Sequence, residues 1–309
     1  MGWSEANIPP QSGKLFVITG TGGLGLEDAR ALVKRQAKVV LAGRSAAKGY
    51  DALARIRAET PSADIVFEEL DLASLASVEA FAARMLAAST PIDVLINNAG
   101  VAIIKDRRET QDGFELQLGT NYLGHFALTM RLMPLLLQAT APRVVSLSST
   151  THKMGKINFE DLQLEKSYSG SRAYAQSKLA MLMFALELDR RARESGAKLM
   201  SVAAHPGIAS TELMNNGPAG RPVMQFFSHL IERMLGQTGA DGALPALRAA
   251  TAPDVTGGEY YGPKGFLEAA GPPEFASISR KAKDDGARRR LWEMSARLTG
   301  LVPAISAGT

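Results

Sequence analysis

No cysteine occurs in the 309 residues, so disulfides, thiolate metal sites and cysteine nucleophiles are excluded, and nothing points to secretion. Long apolar runs are missing too: the longest, Leu179 to Leu186, is far shorter than the ~20 residues a membrane helix requires. Residues Met1 to Gln11 include Glu5, Pro9 and Pro10 and no apolar core, so no signal peptide is expected. Ala6 stands where a myristoylation signal beginning at Gly2 needs Ser or Thr. Charge of one sign is also scarce. The 35 basic and 31 acidic residues leave a formal net charge of +4, too small and too scattered an excess to suggest a nucleic-acid partner. The single compact cluster, Arg288-Arg289-Arg290, reads as a solvated helix face. The four histidines, His125, His152, His205 and His229, lack metal-ligand spacing to one another or to a carboxylate set, so no metal is assigned. His152 reads as a structural or surface residue. These absences lead us to expect a soluble, cytoplasmic chain with neither membrane nor nucleic acid among its partners.

What is present is a regular alternation. The apolar run Leu15 to Ile18 reads as a buried strand entering a glycine cluster, and Leu24 to Gln36 has helical spacing. Strand-like segments recur at Val39 to Leu41, 64–69, Val94 to Ile96, Val144 to Leu147 and Leu199 to Val202, separated by helical stretches near 46–59, 75–88 and 171–195. Strands alternating with helices predict an α/β fold, a single Rossmann-type doubly wound parallel sheet of about seven strands flanked by helices. No linker interrupts the pattern, so residues 1–309 are read as one domain. Residues 206–257 form its substrate-loop and helix region, with helices expected near 221–236 and 239–251, and Glu259-Tyr260-Tyr261 supplies a last strand. Residues 262–309 form a C-terminal extension with a helix near 285–299.

The turn after the first strand reads Thr19-Gly20-Thr21-Gly22-Gly23-Leu24-Gly25, in which Gly20, Gly22 and Gly25 satisfy G-x-G-x-x-G between strand and helix. Glycines there permit a tight turn and let a pyrophosphate approach backbone amides at the positive helix end. At the end of the second strand an acid would hold a ribose 2′-hydroxyl, whereas an arginine accommodates a 2′-phosphate. The sequence has Gly43-Arg44-Ser45 and no acid, which favours NADP (NADPH) over NAD because a planar guanidinium suits phosphate. Tyr174 and Lys178 lie at i and i+4, on one face of a helix. That spacing has chemical meaning, since a nearby ammonium stabilises a phenolate and lowers the tyrosine pKa.

Further motifs follow in order: Asn97-Asn98-Ala99-Gly100 after the fourth strand, Asn121 within Thr120-Asn121-Tyr122-Leu123-Gly124-His125-Phe126, Ser148-Ser149 closing the fifth strand, Tyr174-x-x-x-Lys178, and His205-Pro206-Gly207 with Thr211 four residues on. In this order they resemble the short-chain dehydrogenase/reductase family, nearest to its retinol dehydrogenase-like branch and that branch's soluble bacterial relatives. The resemblance runs from about Lys14 to Gly300. It implies a tetrad of Asn121, Ser149, Tyr174 and Lys178. Tyr174 would be the general acid in reduction and the base in oxidation, and Lys178 would hold the nicotinamide ribose and depress the tyrosine pKa. Ser149 would hydrogen-bond the substrate oxygen, and Asn121 would anchor a relay water. Gly20, Gly22, Gly23, Leu24, Gly25, Arg44, Asp71, Leu72, Asn98, Ala99, Gly100, Tyr174, Lys178, Pro206, Gly207 and Thr211 would contact the cofactor. Asp71 is read either at the adenine edge or as a helix cap with Ala73 and Ser74.

Two departures stand out. The family's glycine signature, T-G-x-x-x-G-x-G, is here one residue shorter, and Lys153 to Ser169 lengthens the segment between Ser149 and Tyr174, as in the retinol dehydrogenase branch. The implied reaction interconverts a carbonyl and an alcohol on a small molecule. Leu213, Met214, Met224, Phe226, Phe227, Leu230, Ile231 and Met234 at the expected pocket mouth suit an apolar substrate, and an amphipathic helix packed on the core would show the same residues. The apolar run after Lys178, Leu179 to Leu188, would serve the core and, as in the family, an interface, so a homodimer or homotetramer is expected. The competing readings are a catalytically silent NADP-binding regulator and an epimerase or dehydratase on the same scaffold.

Overall fold

The computed structural model describes residues 2–207, 238–302 and 305. The helix expected near 221–236, Thr211 and the apolar positions from Leu213 to Met234 lie outside the described residues.

The first strand, β1 (Leu15–Thr19), is buried along its whole length. Its side chains alternate between two cores, as the two-residue period of a strand requires. Leu15 and Val17 join the cluster containing Phe81, Phe126, Phe184 and Trp292, whereas Phe16 and Ile18 join the one containing Leu32, Ile56 and Ala246. Apolar residues at every position are what a strand covered by helices on both faces needs. One face carries α1 (Leu24–Val33), α2 (Ala46–Glu59) and α7 (Gly239–Thr251), and the other α3 (Leu75–Ala88), α5 (Gly124–Gln138), α6 (Gly170–Glu194) and α8 (Asp285–Thr299). A short turn, α4 (Leu116–Leu118), runs through a π-helical turn, Gly119–Leu123, into α5.

The remaining strands are β2 (Lys38–Gly43), β3 (Ile65–Glu69), β4 (Val94–Asn97), β5 (Arg143–Leu147), β6 (Met200–Ala204), β7 (Tyr260–Pro263) and β8 (Pro273–Phe275), in the order β3-β2-β1-β4-β5-β6-β7-β8. All neighbours pair in parallel except β7 and β8. The chain winds outward from β1 through β3 and then returns to β4 on the other side of β1. The crevice at that reversal, beyond the carboxyl ends of β1 and β4, is where ligands bind in sheets of this kind.

Two expectations change. The sheet has eight strands, because Pro273–Phe275 adds an antiparallel edge to β7 through a tight return in which Lys264 donates to Pro272 and Gly265 to Ala270. Three residues that include a proline and an exposed Phe275 carry no periodic signal, and an edge is where a strand tolerates proline. The Arg288-Arg289-Arg290 cluster is only partly solvated. Arg288 is largely covered, pairs with Asp285 and donates to the Ala282 carbonyl, while Arg290 pairs with Glu160 at 2.9 Å and lies 4.4 Å over the Phe159 ring. No helix among the described residues is long and apolar enough to cross a membrane.

Asp28, in α1, is fully buried, and neither carboxylate oxygen has a hydrogen-bond partner among the described residues. Burial, with a smaller contribution from Glu27, raises its pKa well above the usual range. The folded chain thus retains a proton that the unfolded chain sheds near pH 4, so this group costs stability as pH rises from about 4 toward the folded pKa. Asp28→Asn is expected to match the parent at pH 3 and to exceed it by about 1–3 kcal/mol at pH 7 in denaturant unfolding. An equal gain at both pH values would refute the ionisation argument.

Candidate active site

The glycine turn is closed by contacts that exclude side chains. Gly20 has φ 99° and donates to the Ala42 carbonyl at 2.7 Å, and Gly23 has φ 52°, both in backbone that favours glycine. A Cβ at Gly25 would stand 2.3 Å from the Gly20 carbonyl oxygen and 2.8 Å from the Asn98 amide nitrogen. The shortened loop therefore still folds back onto the start of α1. Leu24 opens that helix, and Gly23 at its N-cap provides no side-chain acceptor, so first-turn amides remain for an anion. A Cβ at Gly43 would meet Thr21 at 2.7 Å. The end of β2 thus abuts the turn, and the following Arg44 is exposed beside it.

Asn98 and Ala99 are fixed from below. Both backbone amides donate to the Thr19 hydroxyl, at 2.9 and 3.0 Å, and the Asn98 side chain donates to the Thr19 carbonyl at 2.7 Å. With its acceptor capacity spent, the Thr19 hydroxyl donates to Nε2 of His125 at 2.9 Å, and Nδ1 of His125 donates to the Asn121 carbonyl at 2.8 Å. Burial lowers the His125 pKa to about 4, so a neutral ring with one defined tautomer ties the glycine turn to Asn121. Sequence reasoning did not single out this residue, because a histidine inside an apolar helix has no spacing signal of its own. The cap of α3 is Ser74, which accepts the Ser77 amide at 3.3 Å, whereas Asp71 accepts the Ala73 amide at 2.9 Å in the turn before that helix. Leu72 presents its carbonyl to the start of α5, where a Cβ on Gly124 would approach it to 2.3 Å.

The other side of the cleft is built on β5 and α6. Ser148 and Ser149 point to opposite sides, as adjacent extended residues must. The buried Ser148 hydroxyl donates to the Lys178 carbonyl at 2.8 Å, anchoring α6. The Ser149 hydroxyl accepts the Thr151 amide at 3.2 Å and lies near enough to Tyr174 to bear on its pKa. The Lys178 ammonium is buried, donates to the Leu147 carbonyl at 3.0 Å and lies 5.8 Å from the Tyr174 ring centre. Burial lowers its pKa to about 8. The Tyr174 pKa is raised by burial, and the contact that opposes this is the Ser149 hydroxyl. The spacing brings Lys178 near Tyr174, but the ammonium's hydrogen bond goes to the Leu147 carbonyl.

Asn121 sits within the π-helical turn, its oxygen accepting the Val101 amide at 2.7 Å and its nitrogen donating to the Val101 carbonyl and the Ser177 hydroxyl, both at 2.9 Å. Both amide hydrogens are engaged, so a relay water could meet this residue only at an oxygen lone pair. A Cβ on Gly100 would lie 3.0 Å from the Asn121 side-chain oxygen and 3.8 Å from the Lys178 ammonium, so the glycine keeps that space open. Pro206 and Gly207 follow β6 at the same end of the sheet. The run Leu179 to Leu188 is largely buried within the single chain, so the core accounts for the apolar residues that had suggested an interface. His152 is buried and structural, donating to the Ser149 carbonyl at 2.7 Å.

The model of the short chain dehydrogenase family matches residues 14–221. The chain is 40% identical over 301 residues to polyprenol dehydrogenase of Mus musculus, covering 95% of this chain and 86% of that protein. It is 38% identical over 290 residues to retinol dehydrogenase 12 of Homo sapiens, with 94% and 87% covered. Among solved structures, an uncharacterized protein from Mycobacterium paratuberculosis is 38% identical, with 98% of this chain and all of that one aligned at a TM-score of 0.79. These similarities and the fold define an oxidoreductase that uses a nicotinamide cofactor on carbonyls or alcohols. The chain belongs to the short-chain dehydrogenase/reductase family, in its retinol dehydrogenase-like branch.

Because neutral His125 charges only near pH 4, against about 6.5 when unfolded, the folded state binds fewer protons in that interval and loses stability as pH falls through it. His125→Asn, whose amide can still donate to the Asn121 carbonyl, is expected to flatten that slope in denaturant titrations between pH 6.5 and 4. An unchanged slope would count against a buried neutral imidazole.

Proposed function

We propose that the chain is an NADP(H)-dependent oxidoreductase interconverting a carbonyl and a primary or secondary alcohol on an apolar small molecule, with Tyr174 as the general acid and base. The observation that carries this reading is the convergence of Ser149 and Tyr174 beside the buried ammonium of Lys178, whose nitrogen lies 5.8 Å from the Tyr174 ring centre, at the carboxyl end of β5 and across from the glycine turn. When bound, the cofactor supplies or accepts the hydride. Tyr174 gives its proton to the substrate oxygen during reduction and recovers it in alcohol oxidation. A phenol whose pKa is raised by burial holds that proton at neutral pH, which suits the reductive direction. Ser149 donates to the same oxygen as charge grows there, a contact worth more in the transition state than in the ground state.

Lys178, buried with its ammonium close to Gly100, would hold ribose hydroxyls. Asn121 supports that side through its oxygens. Gly20, Gly22, Gly23, Leu24 and Gly25 would cradle the pyrophosphate, and Asn98, Ala99 and Gly100 the nucleoside. Arg44, exposed past Gly43, would take the 2′-phosphate. The apolar character of the substrate is supported by relatives named for polyprenol and retinol.

Tyr174→Phe is expected to bind NADPH with near-parental affinity in a fluorescence titration while turnover over a carbonyl panel falls by about 10²–10⁴-fold. Retained turnover would remove Tyr174 from its role, and absence of turnover in the parent would favour a silent cofactor-binding protein. Arg44→Ala is expected to raise the KM for NADPH by about ten- to a hundredfold, the worth of a charged hydrogen bond, and to leave the KM for NADH nearly unchanged. Equal effects on both cofactors would argue against recognition of the 2′-phosphate.

A further inference from the structure

Between β7 and β8 the chain makes a single 3₁₀ turn, Phe266–Glu268, in which two consecutive residues with side chains, Leu267 and Glu268, take φ of 53° and 57°. Such backbone persists where the surroundings over-determine it. Burial of apolar groups is not the cause, since Phe266 and Leu267 are 86% and 75% exposed. The turn instead carries the Glu268 carboxylate inward. One of its oxygens lies 3.1 Å from the Lys153 ammonium and 3.1 Å from Nε2 of His205, and the other accepts the Ser277 amide at 3.0 Å.

These contacts join two separate segments of the cleft. Lys153 ends the 3₁₀ turn Thr150–Lys153 that follows Ser149, and His152 of that turn donates to the Ser149 carbonyl and accepts the Ser279 amide at 3.3 Å. His205 opens the segment leading to Pro206 and Gly207. Its Nδ1 accepts the Gly207 amide at 3.1 Å, which leaves the ring proton on Nε2, 3.1 Å from the Glu268 oxygen though not aligned as a hydrogen bond. The fit is close on every side. A Cβ on Gly262 would come within 1.9 Å of Nε2 of His205, and one on Gly207 would come within 2.3 Å of the Ala269 carbonyl oxygen.

We infer that Glu268 is a positioning residue for the oxidoreductase reaction: its carboxylate clamps the Ser149 turn and the His205–Gly207 segment to each other, fixing the substrate-oxygen donor relative to the wall expected beside the nicotinamide. The inference rests on the function proposed above for Ser149 and Gly207. The clamp itself is a property of the chain without cofactor, and the two can be tested apart.

The test compares the parent with Glu268→Ala, Glu268→Gln, His205→Gln and, as a control, Glu274→Ala, which removes only the exposed pairing with Lys264. Peptide-resolved amide exchange of the cofactor-free protein is measured together with NADPH titration and steady-state kinetics. Glu268→Ala is expected to speed exchange in both the 149–155 and the 205–207 peptides, to lower kcat about ten- to a hundredfold, and to raise the KM for the carbonyl less than threefold. Glu268→Gln, which keeps one accepting oxygen, should recover part of kcat. His205→Gln should loosen the 205–207 peptide and leave 149–155 nearly unchanged, and Glu274→Ala should match the parent. Faster exchange confined to 264–277, or a Glu268→Ala enzyme with parental kcat, would overturn the clamp. Should Glu268→Ala fail to fold, Glu268→Gln and His205→Gln decide the question by the same readouts. If the parent itself turns over no carbonyl, the function reading fails and the exchange pattern still decides the clamp.

Discussion

The arrangement of the cleft depends on one buried charge. The Lys178 ammonium is 5% exposed, and its direct partner is a backbone carbonyl, that of Leu147 at 3.0 Å. An ammonium so placed is held at a cost, since burial disfavours its charged form, and its pKa falls to about 8. The geometry around it limits that cost. The Ser148 hydroxyl caps the Lys178 carbonyl from β5, fixing α6 against the strand end, and Gly100 leaves the space beside the ammonium open. The charge is thus prepared to meet oxygen atoms that arrive with a ligand, and the register of β5 against α6 determines which serine faces them.

That register explains why the candidate site was legible from sequence. Tyr174 and Lys178 share a helix face by spacing alone, and only one of two adjacent serines at a strand end can face the same cleft. The strands and helices were legible for a related reason: residues covered on both sides must be apolar throughout, so β1, β4 and β6 appear as short unbroken runs between helical periods. What periodicity could not show was whatever depends on contacts between distant segments. Pro273–Phe275 is too short to repeat anything. The π-helical turn at Gly119–Leu123 follows no hydrophobic period and is recognisable only from its hydrogen bonds. The i,i+4 spacing of Tyr174 and Lys178 gives proximity but not aim: the ammonium turns to the Leu147 carbonyl.

The same limit applies to His125 and His205. Each is completely buried, and although both fall inside sequence motifs, at Thr120 to Phe126 and His205-Pro206-Gly207, neither motif says what the ring itself holds. In three dimensions each has two ring nitrogens with fixed and opposite duties. His125 donates through Nδ1 to Asn121 and accepts through Nε2 from Thr19, whereas His205 accepts through Nδ1 from Gly207 and presents Nε2 to Glu268. A neutral imidazole donates from one ring nitrogen and accepts at the other, so each ring joins two backbone segments.

The two rings stand on opposite sides of the cleft. His125 couples the end of β1, and through Thr19 the Asn98–Ala99 amides, to the π-helical turn that carries Asn121. His205 couples the end of β6 to the return between β7 and β8, and through Glu268 to the turn after Ser149. Tyr174 and Lys178 ride on a single long helix between them and need no such link, because α6 is rigid along its own axis. Loops lack that rigidity, and a donor displaced by about 1 Å loses much of its effect on a developing oxyanion. Buried polar bridges therefore concentrate where the cleft is made of loops, and the helix supplies the two groups whose mutual spacing a helix alone can guarantee.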